Sequence, residues 1–170
     1  MKTKSSKIEG SSEFSNLKGI EYFSFEEDFM ERNIRCIPMI VRFKMDNAGI
    51  KLKLSEWNRF STDERVNLAL LPGGNSGEIS NYNRYLTGLV KKYTNREATT
   101  MDVDPDPLWN DLYSIPGKLT EKLNEFNWKL SIEEWKGLTN LQRFALLKLC
   151  RAKHENKNFP KAMREFRLVN

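Results

Sequence analysis

Three groups of side chains in this 170-residue chain have the types and spacing to do chemistry. Asp102, Asp104 and Asp106 hold the first, third and fifth positions of a calcium loop, where carboxylate oxygens would meet a hard cation. The sixth position is then Pro107, where such a loop needs glycine, and the twelfth is Tyr113, where it needs a bidentate Glu. The acids therefore read as a solvated loop, with Asp106 or Asp111 capping a helix. Cys36 stands beside Arg35 just before Ile-Pro, where a helix N-terminus could lower its thiol. The competing reading is a buried structural cysteine; its counterpart Ser114, 78 residues on, points to a capping role for both. His154, the single histidine, stands with Asn156 and Asn158 between two expected helices. That group either lines a binding site or ties the last helix to the body through hydrogen bonds. Arg35, Cys36, His154, Asn156 and Asn158 together form the candidate polar binding site, with Arg35 as the anion contact because its planar fork suits oxyanions.

Other chemistries lack their residues. Two cysteines, Cys36 and Cys150, and one histidine complete neither a disulfide scaffold nor a four-ligand zinc site. Gly73-Gly-Asn-Ser-Gly77 has neither the lysine nor the preceding strand of a phosphate loop. No catalytic triad is visible, so the sequence assigns no enzymatic activity and implies no cofactor.

The elements that must position these groups are helical. Residues 1–20 carry Ser, Lys and Gly without periodicity and read as a disordered tail. The remainder, 21–170, reads as one all-α domain. Phe25, Phe29 and Met30 behind Ser24 suggest a short amphipathic helix. Pro38 starts a second helix that Gly49 stops, and Ile50 to Leu54 alternates as a connector or short strand. Ser61-Thr-Asp-Glu64 is a capping box for a third helix. A fourth runs from Ile79 to Tyr93 and aligns Tyr82, Tyr85, Leu86, Leu89, Val90 and Tyr93 on one face. Asn95 to Pro107 is a polar, proline-bearing loop.

The second half repeats the first. A gapless shift of 78 residues superimposes Ile37-Pro38 on Ile115-Pro116, Glu56-Trp57 on Glu134-Trp135 and Arg65 on Arg143. It gives ten identities over the 35 positions 37–71, where ordinary composition would give about two. Thr139-x-x-Gln142 replaces the capping box, and Phe159, Ala162, Met163 and Phe166 form the apolar stripe of a last helix. This predicts two pseudo-equivalent helical repeats, about 35–93 and 113–167, joined by a loop over 94–112 and packed face to face. Trp57 and Trp135 should be core anchors.

Arg35-Cys-Ile-Pro-Met-Ile-Val-Arg-Phe-Lys-Met-Asp46, Gly49-Ile-Lys-Leu-Lys-Leu-Ser-Glu-Trp57, Leu138-Thr-Asn-Leu-Gln-Arg-Phe-Ala-Leu-Leu-Lys-Leu149 and His154-Glu-Asn-Lys-Asn-Phe159 resemble the small nitrate reductase-associated proteins. The resemblance runs from Tyr22 to Phe166; the long tail and Pro72-Gly-Gly-Asn-Ser-Gly77 depart from it. It implies a protein encoded near nitrate reductase and molybdenum-cofactor genes, and hence a protein partner from that pathway.

Charge narrows the partners further. The net charge of +5 resides at the ends: residues 1–20 contribute +2 and 151–170 contribute +4, leaving −1 for 21–150. A balanced body disfavours nucleic acid, although Lys157, Lys161, Arg164 and Arg167 on the last helix keep that alternative open, beside a small-anion-handling role. No apolar run approaches a bilayer span and the start lacks a secretory pattern, so a cytoplasmic, non-membrane accessory or scaffold protein is expected.

Overall fold

Pro38 and Gly49 bound the first α-helix for opposite reasons. In the computed structural model, which describes residues 12–29, 36–151 and 157–170, α1 spans Met39–Ala48. Pro38 precedes it in extended geometry, losing nothing by its missing N–H. Gly49 follows at φ 69°, a left-handed conformation that costs glycine little, and donates its N–H to Asp46 O. The free N–H of Met39 is met by the buried Glu26 carboxylate, 2.6 Å away. Glu26 sits in a 3₁₀ turn, Ser24–Phe29, where periodicity suggested an α-helix; its carboxylate also accepts from Phe23 N–H, so the turn is shaped by a capping task.

The described residues are mostly helical, with one two-stranded ladder among them. After β1 (Ile50–Lys51) come α2 (Leu54–Trp57), α3 (Thr62–Leu70), α4 (Ser76–Thr94) and β2 (Thr99–Thr100). β2 pairs antiparallel with β1, Ile50 opposite Thr100. Ser61 Oγ accepts from Glu64 N–H while the Glu64 carboxylate accepts from Ser61 N–H, the expected capping box. Asn75 caps α4 through Glu78 N–H. A 3₁₀ turn, Leu108–Asn110, then leads to α5 (Gly117–Asn124), α6 (Ile132–Gly137), α7 (Asn140–Arg151) and α8 (Asn158–Glu165).

Two compact units result, one ending at Met101 and the other beginning at Asp102. In the first, α1 packs against α3 and α4, and α2 against α4. Val41, Trp57, Leu68, Tyr82, Leu86 and Val90 fill that interior. Residues 12–20 depart from the expected tail: Phe14, 1% exposed, stacks on Trp57 at 6.2 Å, and Glu13 pairs with Arg65 at 2.9 Å. A lone aromatic in a polar stretch carries no periodicity, so its burial was not legible locally. Residues 1–11 lie outside the described residues. In the second unit α7 packs on α5 and α8, with Trp135, Phe144, Leu146, Phe159 and Met163 buried.

Each unit contains a buried arginine in a similar setting. In the first, Arg65 donates through Nη1 to Phe60 O (3.1 Å) and through Nη2 to Thr62 Oγ1 (3.3 Å), with its guanidinium 5.9 Å over Trp57. In the second, Arg143 donates through Nη1 to Leu138 O and through Nη2 to Asn140 Oδ1, with its guanidinium 5.8 Å over Trp135. Asn127, 78 residues after Gly49, also has positive φ (56°), a conformation asparagine tolerates.

Candidate functional site

Cys36 is half-buried in the first unit, and Asn158 is buried in the second as the first residue of α8, its Oδ1 without a hydrogen-bond partner among the described residues. Arg35, His154 and Asn156 lie outside the described residues. The capping reading of Cys36 and Ser114 is corrected. Pro38 and Pro116 occupy the N-cap positions of α1 and α5 and offer no capping side chain, the Met39 N–H is met by Glu26 instead, and Ser114 Oγ turns to Asp111 Oδ2 (2.5 Å). Cys150, near the end of α7, is half-buried, and burial pushes its thiol up to about 12, which makes a poor nucleophile.

The surface feature that stands out lies in the acidic loop. Seven large apolar side chains are exposed among the described residues, and five of them, Met101, Val103, Leu108, Leu112 and Tyr113, fall within thirteen consecutive positions. Tyr113 is 91% exposed, Val103 51%, Leu108 46% and Leu112 36%. The same stretch contains Asp102, Asp104, Asp106 and Asp111 and no lysine or arginine.

The loop from Asp102 to Ser114 is built into the second unit through its backbone. Asp104 Oδ1 accepts from Asp106 N–H (3.0 Å), closing an Asx turn. Trp109 packs edge-on against Phe144, ring centroids 5.0 Å apart, and its carbonyl accepts from Arg143 Nε at 2.7 Å. Asp111 then does two jobs. Its carbonyl accepts from the indole N–H of buried Trp135 (2.7 Å), while its carboxylate accepts from the N–H groups of Tyr113 (2.7 Å) and Ser114 (3.3 Å). The Ser114 hydroxyl, followed by the Tyr113 N–H, holds the Asp111 carboxyl below the usual carboxylate range. Asp111 therefore caps a turn of the loop where a helix cap was one reading.

Leu108 and Leu112 were not among the residues singled out from the sequence, and Tyr113 entered only as the residue that breaks the calcium pattern. The available signal was large apolar residues in an acidic, proline-bearing stretch outside any helical period, which distinguishes them from a purely solvated loop. Among the described residues no group of three His, Cys, Asp or Glu side chains converges to hold a metal, and no helix is long and apolar enough to cross a membrane.

The sequence profile of the conserved nitrate reductase-associated proteins matches residues 22–166, most of the chain. The chain belongs to that family. The match begins at Tyr22, whose hydroxyl donates to Glu27 (2.6 Å), and ends at Phe166, the C-cap of α8, so every helix from α1 to α8 and the whole acidic loop lie inside the family's extent, while Glu13 and Phe14 lie just before it. No curated protein and no solved structure matches the chain.

Proposed function

We propose that this protein is a non-enzymatic accessory factor of the nitrate reductase system, acting in the cytoplasm by protein–protein contact with nitrate reductase. The observation that carries the reading is the concentration of exposed apolar side chains on one anchored loop. Scattered single exposures need no explanation, whereas Leu108, Leu112 and Tyr113, exposed within six residues of one loop, support a surface made to be covered. The family's description as nitrate reductase-associated supports nitrate reductase as that partner.

The reading also takes the chain as a duplicated helical unit. What supports this is the 78-residue register of Arg65 and Arg143, of their carbonyl acceptors Phe60 and Leu138, and of their oxygen acceptors on Thr62 and Asn140. A duplicated scaffold can vary a connecting loop without disturbing the packing that both copies share, and the acidic loop precedes the second copy.

The test is direct binding of the full chain to purified nitrate reductase from the same organism, followed by calorimetry or interferometry at low salt. Saturable binding with a Kd on the order of 1–100 μM is expected for a contact of this limited size. Absence of binding at the top of that range refutes the reading.

A further inference from the structure

The apolar residues of the acidic loop also specify what should cover them. We propose that Leu108, Leu112 and Tyr113 form a docking surface whose occupant is an apolar pocket on nitrate reductase rimmed by Lys and Arg, with the Tyr113 ring as the anchor. This rests on the functional reading above and adds the place and chemistry of contact.

Three observations carry it. Tyr113 is a large aromatic side chain at 91% exposure, and tyrosine is among the residues that dominate interface energetics when seated in a pocket. Its backbone is already held: Asp111 accepts from the N–H groups of both Tyr113 and Ser114, and Trp135 anchors the Asp111 carbonyl to a buried indole. Binding then orders little more than the ring's own torsions, which removes much of the entropic cost of docking a loop. The charge is of one sign, four aspartates and no cation from Met101 to Tyr113, so a basic rim is attracted and an acidic one repelled.

A second copy of this chain fits less well. The exposed cations of α8, Lys161 and Arg164, stand on a helix whose apolar residues Phe159, Ala162 and Met163 are buried, so those side chains are not available to receive the Tyr113 ring.

The experiment measures binding of wild type, Tyr113→Ala, Leu108→Ser/Leu112→Ser and Asp102→Asn/Asp104→Asn to purified nitrate reductase across a salt series, with melting temperatures recorded for every variant. Tyr113→Ala should weaken affinity at least tenfold through faster dissociation, with its melting temperature unchanged because the ring touches little of its own fold. The leucine pair should weaken affinity comparably. The aspartate pair should slow association and flatten the salt dependence while leaving dissociation nearly unchanged. If wild type binds and Tyr113→Ala binds equally well, the placement is wrong and the accessory reading stands. Salt-insensitive binding overturns the basic rim. Failure of the wild type to bind removes partner and placement together. Concentration-dependent self-association in ultracentrifugation, lost in Tyr113→Ala, would assign the face to a second copy and overturn the proposal.

Discussion

Replacing Arg143 with methionine should destabilise the protein by about 3–4 kcal/mol, a figure that follows from what its guanidinium holds. The residue is 5% exposed and donates to the carbonyls of Trp109, Trp135 and Leu138 and to the side chain of Asn140. Burial lowers the affinity of this guanidinium for its proton, yet arginine remains charged in proteins, so the site holds a cation among neutral oxygens. Methionine keeps much of the volume and removes every donor. Each of three carbonyls then loses a partner at roughly 1–1.5 kcal/mol, and relief of the buried charge offsets part of the sum. In a chain of this length that loss lowers Tm by about 6–15 °C. Arg143→Lys should fall between, since an ammonium at the end of a flexible stem cannot reproduce the planar fork. Urea unfolding followed by tryptophan fluorescence gives the midpoint and slope for each variant. A methionine variant within 1 kcal/mol of wild type, with unchanged slope, would mean that those carbonyls find other donors and that the guanidinium is not an organising centre. Because Arg143 also holds Trp109, the variant should raise hydrogen exchange in the loop more than in α5.

Two further outcomes follow from the same accounting. Trp135→Phe should cost about 1 kcal/mol more than Trp57→Phe in urea melts, because Trp135 donates to Asp111 while the buried Trp57 indole N–H has no hydrogen-bond partner among the described residues; equal costs would show that the 2.7 Å bond contributes nothing net. For Glu64, burial alone would raise the carboxyl, but bonds from Lys92, from the Ser61 N–H and from the Tyr93 hydroxyl outweigh it and hold the group at about 2. A folded-state value below the unfolded one contributes stability that is present above pH ~4.5 and lost as pH falls towards 2. Wild type should therefore lose roughly 1 kcal/mol more than Glu64→Gln between pH 5 and pH 2 after allowance for solvent screening, as read by urea midpoints at each pH; parallel curves would refute it.

The acidic loop separates what is readable along the chain from what is not. From sequence it is four aspartates among prolines, with a calcium-like spacing that Pro107 and Tyr113 interrupt at the sixth and twelfth positions. Its character depends on Trp135 reaching back 24 residues to Asp111 and Arg143 reaching back 34 to Trp109. The helices whose ends carry strong signals were legible. The Ser61–Glu64 box, the Gly49 stop and the Pro38 start all appear where residue type placed them, because each is an interaction within a few residues. The four buried residues of α4 all fall on its expected face for the same reason.

By itself, then, the sequence determined the mostly helical class, the ends of the helices that carry capping signals, the tryptophan anchors and, through strings long enough to identify it, membership of the nitrate reductase-associated family. Tertiary structure decided that Phe14 and Glu13 belong to the fold, that Glu26 turns inward to cap α1, and that Tyr113 is held outward while Trp109, four residues earlier, packs on Phe144. The reason is range. Caps and helical periodicity act over a turn or less and are written in neighbouring residues, whereas the direction of a loop side chain depends on contacts tens of residues away, whose partners exist only once the helices have packed.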